Sequence, residues 1–202
     1  MSTKYKSRIS LTFIKNEYYY CTNNIYSFYL AREYLVNGFY LFESDVFFEH
    51  SLLKKMVNSP YDNLIVSDNY RPQLNGTVVL ANSAGRVKKM LLPQQQTPAK
   101  ISDSFKTVNF YKFDYTYTNK CLLPGLEREI SLKNTGVYYE HIIMKDINEG
   151  CFFTNLTTSP FRWFEIDTQE DLRAAEKLFS SAGDGDVLSI SDDTVIAQTQ
   201  AS

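Results

Sequence analysis

Cysteine, histidine, tryptophan and glycine are all scarce in this 202-residue chain, and each shortage removes a class of function. The three cysteines, Cys21, Cys121 and Cys151, are far apart in sequence and form no C-x-x-C. Neither a zinc knuckle nor a redox pair is indicated, and the thiols read as reduced and partly buried in a cytoplasmic protein. Two histidines, His50 and His141, are too few for a His-rich metal site. No G-x-S-x-G marks a serine nucleophile. No stretch approaches the roughly 18 uninterrupted apolar residues of a membrane span. The first residues, Met1 to Ser10, are polar and basic with no apolar segment behind them, so no secretory address is expected. An excess of one charge is missing too: 21 Lys+Arg stand against 23 Asp+Glu, a net charge of −2. Nucleic acid and anionic membrane are therefore not expected partners, and any phosphate-bearing ligand must be held by a local site.

What the chain does have is aromatic side chains, 15% of the total and almost all Tyr or Phe. With 44% hydrophobic and 22% charged residues, this suits a well-filled globular core. Arg8 to Ile14 reads as a strand. Thr22-Asn23-Asn24 supplies side-chain acceptors for the first turn of a helix over 25–36, which Asn37-Gly38 ends. Phe39 to Phe42 is an unbroken apolar run, the mark of a strand covered on both faces. A helix over Ser51 to Val57 and a strand over Asn63 to Val66 follow. This alternation predicts an α/β fold with crossover helices.

Further on, Thr77 to Leu80 and Arg86 to Met90 flank Asn82-Ser83-Ala84-Gly85 as a β-hairpin. Thr107 to Phe113 predicts a strand, Val137 to Ile147 a helix, and Cys151 to Leu156 and Phe161 to Ile166 two more strands. Thr168-Gln169-Glu170-Asp171 opens a last helix with a capping box, and Leu172, Ala175, Leu178 and Phe179 mark its apolar face. From Ser180 the composition turns to Ser, Gly, Asp, Thr and Gln, which reads as a flexible tail.

Two predicted strands end in carboxylates: Phe39 to Phe42 runs into Glu43-Ser44-Asp45, and Phe161 to Ile166 into Asp167, with Glu165 close by. Ligands of open α/β sheets bind beyond the carboxyl ends of strands. Two such acids brought together make an oxygen site for Mg²⁺, which proteins hold with one or two carboxylates plus substrate phosphates. Taken alone, each acid also reads as an ordinary cap or salt-bridge partner.

Five stretches occur in one order: Thr22 to Ser27 (TNNIYS), Phe39 to Phe47 (FYLFESDVF), Lys106 to Phe113 (KTVNFYKF), Tyr138-Tyr139-Glu140, and Trp163 to Leu172 (WFEIDTQEDL). In that order and spacing the chain resembles the nucleotidyltransferases of the NTP-transferase superfamily, nearest the branch acting on phosphocholine or 2-aminoethylphosphonate with CTP. The resemblance spans roughly Arg8 to Phe179. It implies a mixed, mostly parallel sheet with flanking helices and a small hairpin insertion, in one partial domain over 1–179 with a tail over 180–202. It implies that Asp45 and Asp167 hold Mg²⁺ with Glu165 beside them, and that Asn24 and Ser27 lie near the nucleotide. Tyr138, Tyr139 and Glu140 become candidates for a cationic head group, while a Tyr pair packing the sheet beside a solvated Glu is the plainer reading. The implied reaction moves a nucleotidyl group, cytidylyl in that branch, from a nucleoside triphosphate to a phosphorylated acceptor, releasing pyrophosphate. Sugar 1-phosphates form a third acceptor class.

The chain departs from that family in one respect. Members open with a strand and a glycine-rich loop that wraps the triphosphate; here no G-x-G precedes Asn24, and Gly183-Asp184-Gly185 falls in the tail. Lys4, Lys6 and Arg8 are basic but lack loop glycines. Three expectations follow: a partner domain or second copy supplies the phosphate cradle, the protein is an inactive binding or regulatory relative, or the sequence is a fragment. Each predicts an uncovered sheet edge and self-association.

Overall fold

A computed structural model describes residues 10–180. The predicted strand at the N-terminal end is not formed: residues 10–14 lie outside any strand, Phe13 projects into solvent, and the rest of that segment falls outside the described residues. Helix α1 (Asn24–Leu30) starts where the Asx signal put it, with the Asn23 carboxamide accepting the Asn24 amide at 2.7 Å. It is shorter than predicted. Arg32 donates to the Tyr29 carbonyl at 3.1 Å and lies over the Tyr29 ring, and the chain tightens into a 3₁₀ turn (Arg32–Tyr34).

Strand β1 (Phe39–Phe42) is followed by β2 (Val46–Phe48), helix α2 (His50–Val57), β3 (Leu64–Asn69), the hairpin β4 (Val78–Ala81) and β5 (Val87–Leu91), and the short helix α3 (Pro98–Ile101). Strand β6 (Phe105–Phe113) leads into a helical segment absent from the sequence reading: α4 (Tyr115–Tyr117), a π-helical turn (Thr118–Leu122) and α5 (Leu123–Ser131). Helix α6 (Glu140–Asn148), strands β7 (Thr154–Thr157) and β8 (Trp163–Glu165), and helix α7 (Gln169–Ser180) complete the order. The predicted tail beyond Ser180 lies outside the described residues.

The main sheet runs β5-β4-β6-β3-β7, with β1 also paired to β6. The fold is mixed α/β, as expected. Strands β1, β3, β4 and β7 share one direction, but β6 is threaded between β1 and β3 the other way. Its ladders are therefore antiparallel, and β3–β7 is the parallel pair. Strand β8 does not join this sheet. It pairs antiparallel with β2, register Val46↔Glu165 to Phe48↔Trp163.

Both faces of β1 are covered. Phe39 and Leu41 pack into a cluster with Phe28, Tyr111, Phe113, Tyr139 and Ile142, while Tyr40 and Phe42 pack with Leu52, Phe110 and Trp163. That double cover explains an apolar run without alternation. Helix α7 is tied down by Phe179 edge-on to Phe47 (ring centroids 4.6 Å) and by Arg162, which pairs with Glu49 and donates to the Leu178 carbonyl. Ala175 and Phe179 are buried as predicted, whereas Leu172 is exposed. Cys121 and Cys151 are distant in sequence, yet their Sγ atoms lie 3.6 Å apart as free thiols. No described helix is long and apolar enough to cross a membrane.

Candidate functional site

A cavity of about 350 Å³ opens at the C-terminal end of β1, within the usual range for small-molecule sites. Asn24, Asp45, Tyr138, Glu140, Glu165 and Asp167 line it. Sequence reasoning singled out all six. Two other candidates are elsewhere. Ser27, on α1, accepts a hydrogen bond from the Asn16 carboxamide at 3.0 Å and does not reach the cavity. Tyr139 turns into the core, its ring edge-on to Phe28 and Tyr111, so the packing reading holds for that tyrosine and fails for Tyr138.

The small sheet brings the two acidic strand ends together. With β2 and β8 paired, the Ile166 amide donates to the Asp45 carbonyl at 2.8 Å, which sets Asp167 beside Asp45. Asp167 repels the Asp45 carboxylate, and with burial as the larger cause this raises the Asp45 pKa. Asp45 Oδ1 is buried with no hydrogen-bond partner among the described residues. An orphaned carboxylate oxygen next to a second acid is an incomplete oxygen-donor set. No three acidic, histidine or cysteine groups among the described residues form a ready cation cage. The donors present thus fit a hard cation that completes its shell with ligand oxygens.

Three residues of the cavity escaped the sequence reading as functional groups. Lys106, near the start of β6, is 1% exposed. Its ammonium donates to the Thr107 carbonyl at 2.7 Å and stands 3.4 Å from Glu165 Oε2. Gly76 leaves room for it: a Cβ on Gly76, at φ +108°, would sit 2.8 Å from Lys106 Cε. Glu43 is held at both oxygens, by the Tyr139 hydroxyl at 2.8 Å and the Asn109 carboxamide at 2.7 Å. Asn109 sits in a bulge: β3 advances two residues from Ile65 to Ser67 while β6 advances four from Tyr111 to Thr107. Its φ of 58° is left-handed, and its own oxygen accepts from the Thr107 hydroxyl. That a Lys and an Asn interrupt an apolar strand was the available signal.

Burial is the main cause of every raised carboxyl here. Glu43 is pushed up by burial and Asp45, against the two hydrogen bonds it accepts. Glu165 is pushed up by burial and pulled back by Lys106. Glu140 goes furthest, to about 7, through burial and then the neighbouring Glu43. Lys106 is the cation facing this acidic group among the described lining residues.

No protein-family model matches the chain. Over 162 residues it is 30% identical to the CMP-5'-(3-aminopropyl)phosphonate synthase of Streptomyces rubellomurinus, covering 79% of this chain and 26% of that protein. Over 167 residues it is 29% identical to the choline-phosphate cytidylyltransferase of Haemophilus influenzae, covering 82% of this chain and 67% of that protein. The chain thus spans about a quarter of one relative and two thirds of the other. Among solved structures, the CTP:phosphocholine cytidylyltransferase of Streptococcus pneumoniae is similar at a TM-score of 0.61 and 17% identity, over 81% of this chain and 66% of that one. The inositol-1-phosphate CTP transferase of T. maritima gives a TM-score of 0.63 and 20% identity, over 85% and 66%. In sequence this chain is similar to cytidylyltransferases, and its fold is that of the nucleotidyltransferases of the NTP-transferase superfamily.

Proposed function

We propose that this chain carries the acceptor and metal half of a cytidylyltransferase, moving a cytidylyl group from CTP to a phosphorylated amino alcohol or an aminoalkylphosphonate. An oxygen of the acceptor phosphate or phosphonate attacks the α-phosphorus of the triphosphate, the bond to the β-phosphate oxygen breaks, and pyrophosphate leaves. No covalent intermediate on the protein is needed, in keeping with a cavity that has no Ser–His or Cys–His pair. The observation that carries the reading is the buried, unpartnered Oδ1 of Asp45, a residue that lines the cavity together with Asp167.

Asp45 and Asp167 would hold a Mg²⁺ ion, which supplies charge neutralisation on phosphate oxygens when bound. The chain's own residues do the remaining work. Lys106, desolvated and fixed by the Thr107 carbonyl, offers its ammonium to anionic oxygens of the acceptor. Glu165 holds Lys106 in place. Asn24, locked by the Tyr139 amide donating to its Oδ1 at 3.0 Å, lines the wall together with Asn23. Alignment of two anions is the main catalytic task, and groups fixed by buried hydrogen bonds meet it with little reorganisation.

The test is pyrophosphate release from CTP with Mg²⁺ and either 2-aminoethylphosphonate or phosphocholine. Asp45→Asn and Asp167→Asn are each expected to lower the rate at least about 100-fold while the protein stays folded. A second reading rests on the single lining cation: a triphosphate carries more charge than Lys106 neutralises. If the intact chain binds the acceptor and releases no pyrophosphate, it is a binding protein or needs a partner that supplies the triphosphate cradle.

A further inference from the structure

The two acids that flank this cavity away from the Asp45–Asp167 pair, Glu43 and Glu140, are not equivalent. Glu43 has a donor on each oxygen, so its binding capacity is spent within the protein. Glu140 is the first residue of α6, is 6% exposed, and lines the cavity; the Asn24 side chain and its own amide steady its carboxyl group, yet its Oε2 is buried with no hydrogen-bond partner among the described residues. A buried carboxylate oxygen without a donor costs free energy until a ligand supplies one. Glu43 is the main charge acting on Glu140.

The aromatic surroundings narrow the ligand. A quaternary ammonium has no N–H to donate, and is bound by surrounding it with ring faces. Of the lining residues only Tyr138 is aromatic, and it is half exposed; Tyr139 and Tyr111 point their rings into the core. A primary ammonium carries three N–H donors and a full charge. It can give one of them to Glu140 Oε2 and form a charge-assisted hydrogen bond.

We infer that Glu140 is a specificity-determining residue that selects acceptors ending in a primary ammonium, of the aminoalkyl phosphonate or phosphate class, over their trimethylammonium counterparts. The inference rests on the transferase reading for the identity of the site and adds the chemistry of the head group.

Calorimetry of the full chain, with Mg²⁺, against 2-aminoethylphosphonate and its N,N,N-trimethyl derivative tests it directly, since the two probes share one phosphonate. Binding of the primary amine is expected to be at least about tenfold tighter. Glu140→Gln is expected to bring that ratio near one and to leave the trimethyl compound within about twofold, and in turnover to raise KM more than it lowers kcat. Equal or tighter binding of the trimethyl compound, an unchanged ratio in Glu140→Gln, or no binding of either compound overturns the inference. Should the variant not fold, the ratio for the intact protein decides alone. A strong preference for the primary amine without pyrophosphate release would leave the selectivity standing and turn the transferase reading into that of a binding protein or of a chain that needs a partner for the triphosphate.

Discussion

The packed side of the main sheet and the acidic side at its strand ends treat burial in opposite ways. On the packed side, α1, α5 and α6 close over a cluster in which Tyr111, Phe113, Tyr117 and Phe153 interlock through ring contacts of 4.9–6.2 Å. Where a carboxyl borders that cluster it has a hydrogen-bond donor, as Asp146 has in the Tyr117 hydroxyl at 2.7 Å. At the strand ends, five carboxyls converge on one lysine, and two of them keep a buried oxygen without a partner. The contrast separates what holds the fold from what the fold holds in readiness. Binding sites keep polar groups unsatisfied at a cost in stability, and the packed region offsets it.

The sharpest way to break the contrast is to damage the packed side. Phe113 is 1% exposed and touches Phe39, Tyr111, Tyr117 and Phe153. Phe113→Ala is expected to cost about 3–5 kcal/mol in urea unfolding, the usual range for a buried Phe. A loss under about 1 kcal/mol would mean that the aromatic cluster does not carry the stability assigned to it.

The acidic side should respond with the opposite sign. Glu140 has a folded pKa of about 7 against an ordinary 4.5. The folded state therefore holds more protons than the unfolded state between those values, and stability falls as pH rises through that window and then levels off. Glu43, Asp45 and Glu165, all raised mainly by burial, push the same way, while Lys106 opposes. Glu140→Gln removes one ionisation, so it is expected to be more stable than the parent above pH 7, by at most about 3 kcal/mol. Melting curves at pH 5 and pH 8 check this; a variant less stable at both values would show Glu140 to be a structural group.

Much of the packed side was legible in the sequence, and much of the site was not. The Phe39 to Phe42 run, the Asx cap at Asn23 and the capping box at Thr168 carry local signals, because one element's neighbours in sequence determine it. Asp45 and Asp167 were readable as acids at strand ends, and β2–β8 pairing does bring them to one cavity. Their sheet was not readable: β8 joins a separate two-stranded ribbon, and nothing in FRWFEI distinguishes that from a place beside β3. The threading of β6 between β1 and β3 is likewise a long-range choice. The helical stretch after β6 was missed; it contains Pro124 and Gly125, residue types that break helix interiors, yet Pro124 falls in the first turn of α5 and Gly125 lies so close to Ile142 that a Cβ would clash at 2.7 Å. Lys106 was hidden by its strand: a lysine at 1% exposure is given room by Gly76, thirty positions earlier.

Lys106 also joins the two sides of the comparison. It stands 3.4 Å from Glu165, and its ammonium is 6.0 Å from the centre of the Trp163 ring, whose Nε1 donates to Asp68 at 3.0 Å. Lys106→Met keeps the stem and removes the charge, leaving Glu165 without its partner. The expected cost is about 2 kcal/mol, below the full penalty for breaking a buried pair because Glu165 retains some solvent contact. Pairing with Glu165→Gln should recover most of it, and a double-mutant cycle measures the recovery. Independent, additive losses would show that Lys106 is held by packing and the Thr107 carbonyl instead.

The smallest effect is expected at the start of α7, beside the cavity-lining Asp167. Thr168 Oγ1 accepts the Asp171 amide at 3.2 Å while Asp171 Oδ2 accepts the Thr168 amide at 2.9 Å, so two backbone donors are satisfied reciprocally. The Thr168 bonds hold the Asp171 carboxyl below its ordinary 3.8, and the cap's contribution is present above that value and fades as pH falls through the lowered pKa. Thr168→Ala is expected to cost about 1 kcal/mol at neutral pH, and less at low pH where Asp171 is protonated. Helix α7 places Phe179 against Phe47, on the strand that follows Asp45, and Asp171 Oδ2 also accepts the Asp167 amide at 3.2 Å, so loosening the cap acts on the Asp167 end of the site and not on Glu140. Stability should therefore fall while the preference between the two ammonium probes stays unchanged. A shift in that preference would mean that α7 sets the geometry of the cavity wall, and that the division between packed and acidic sides does not extend to this end of the molecule.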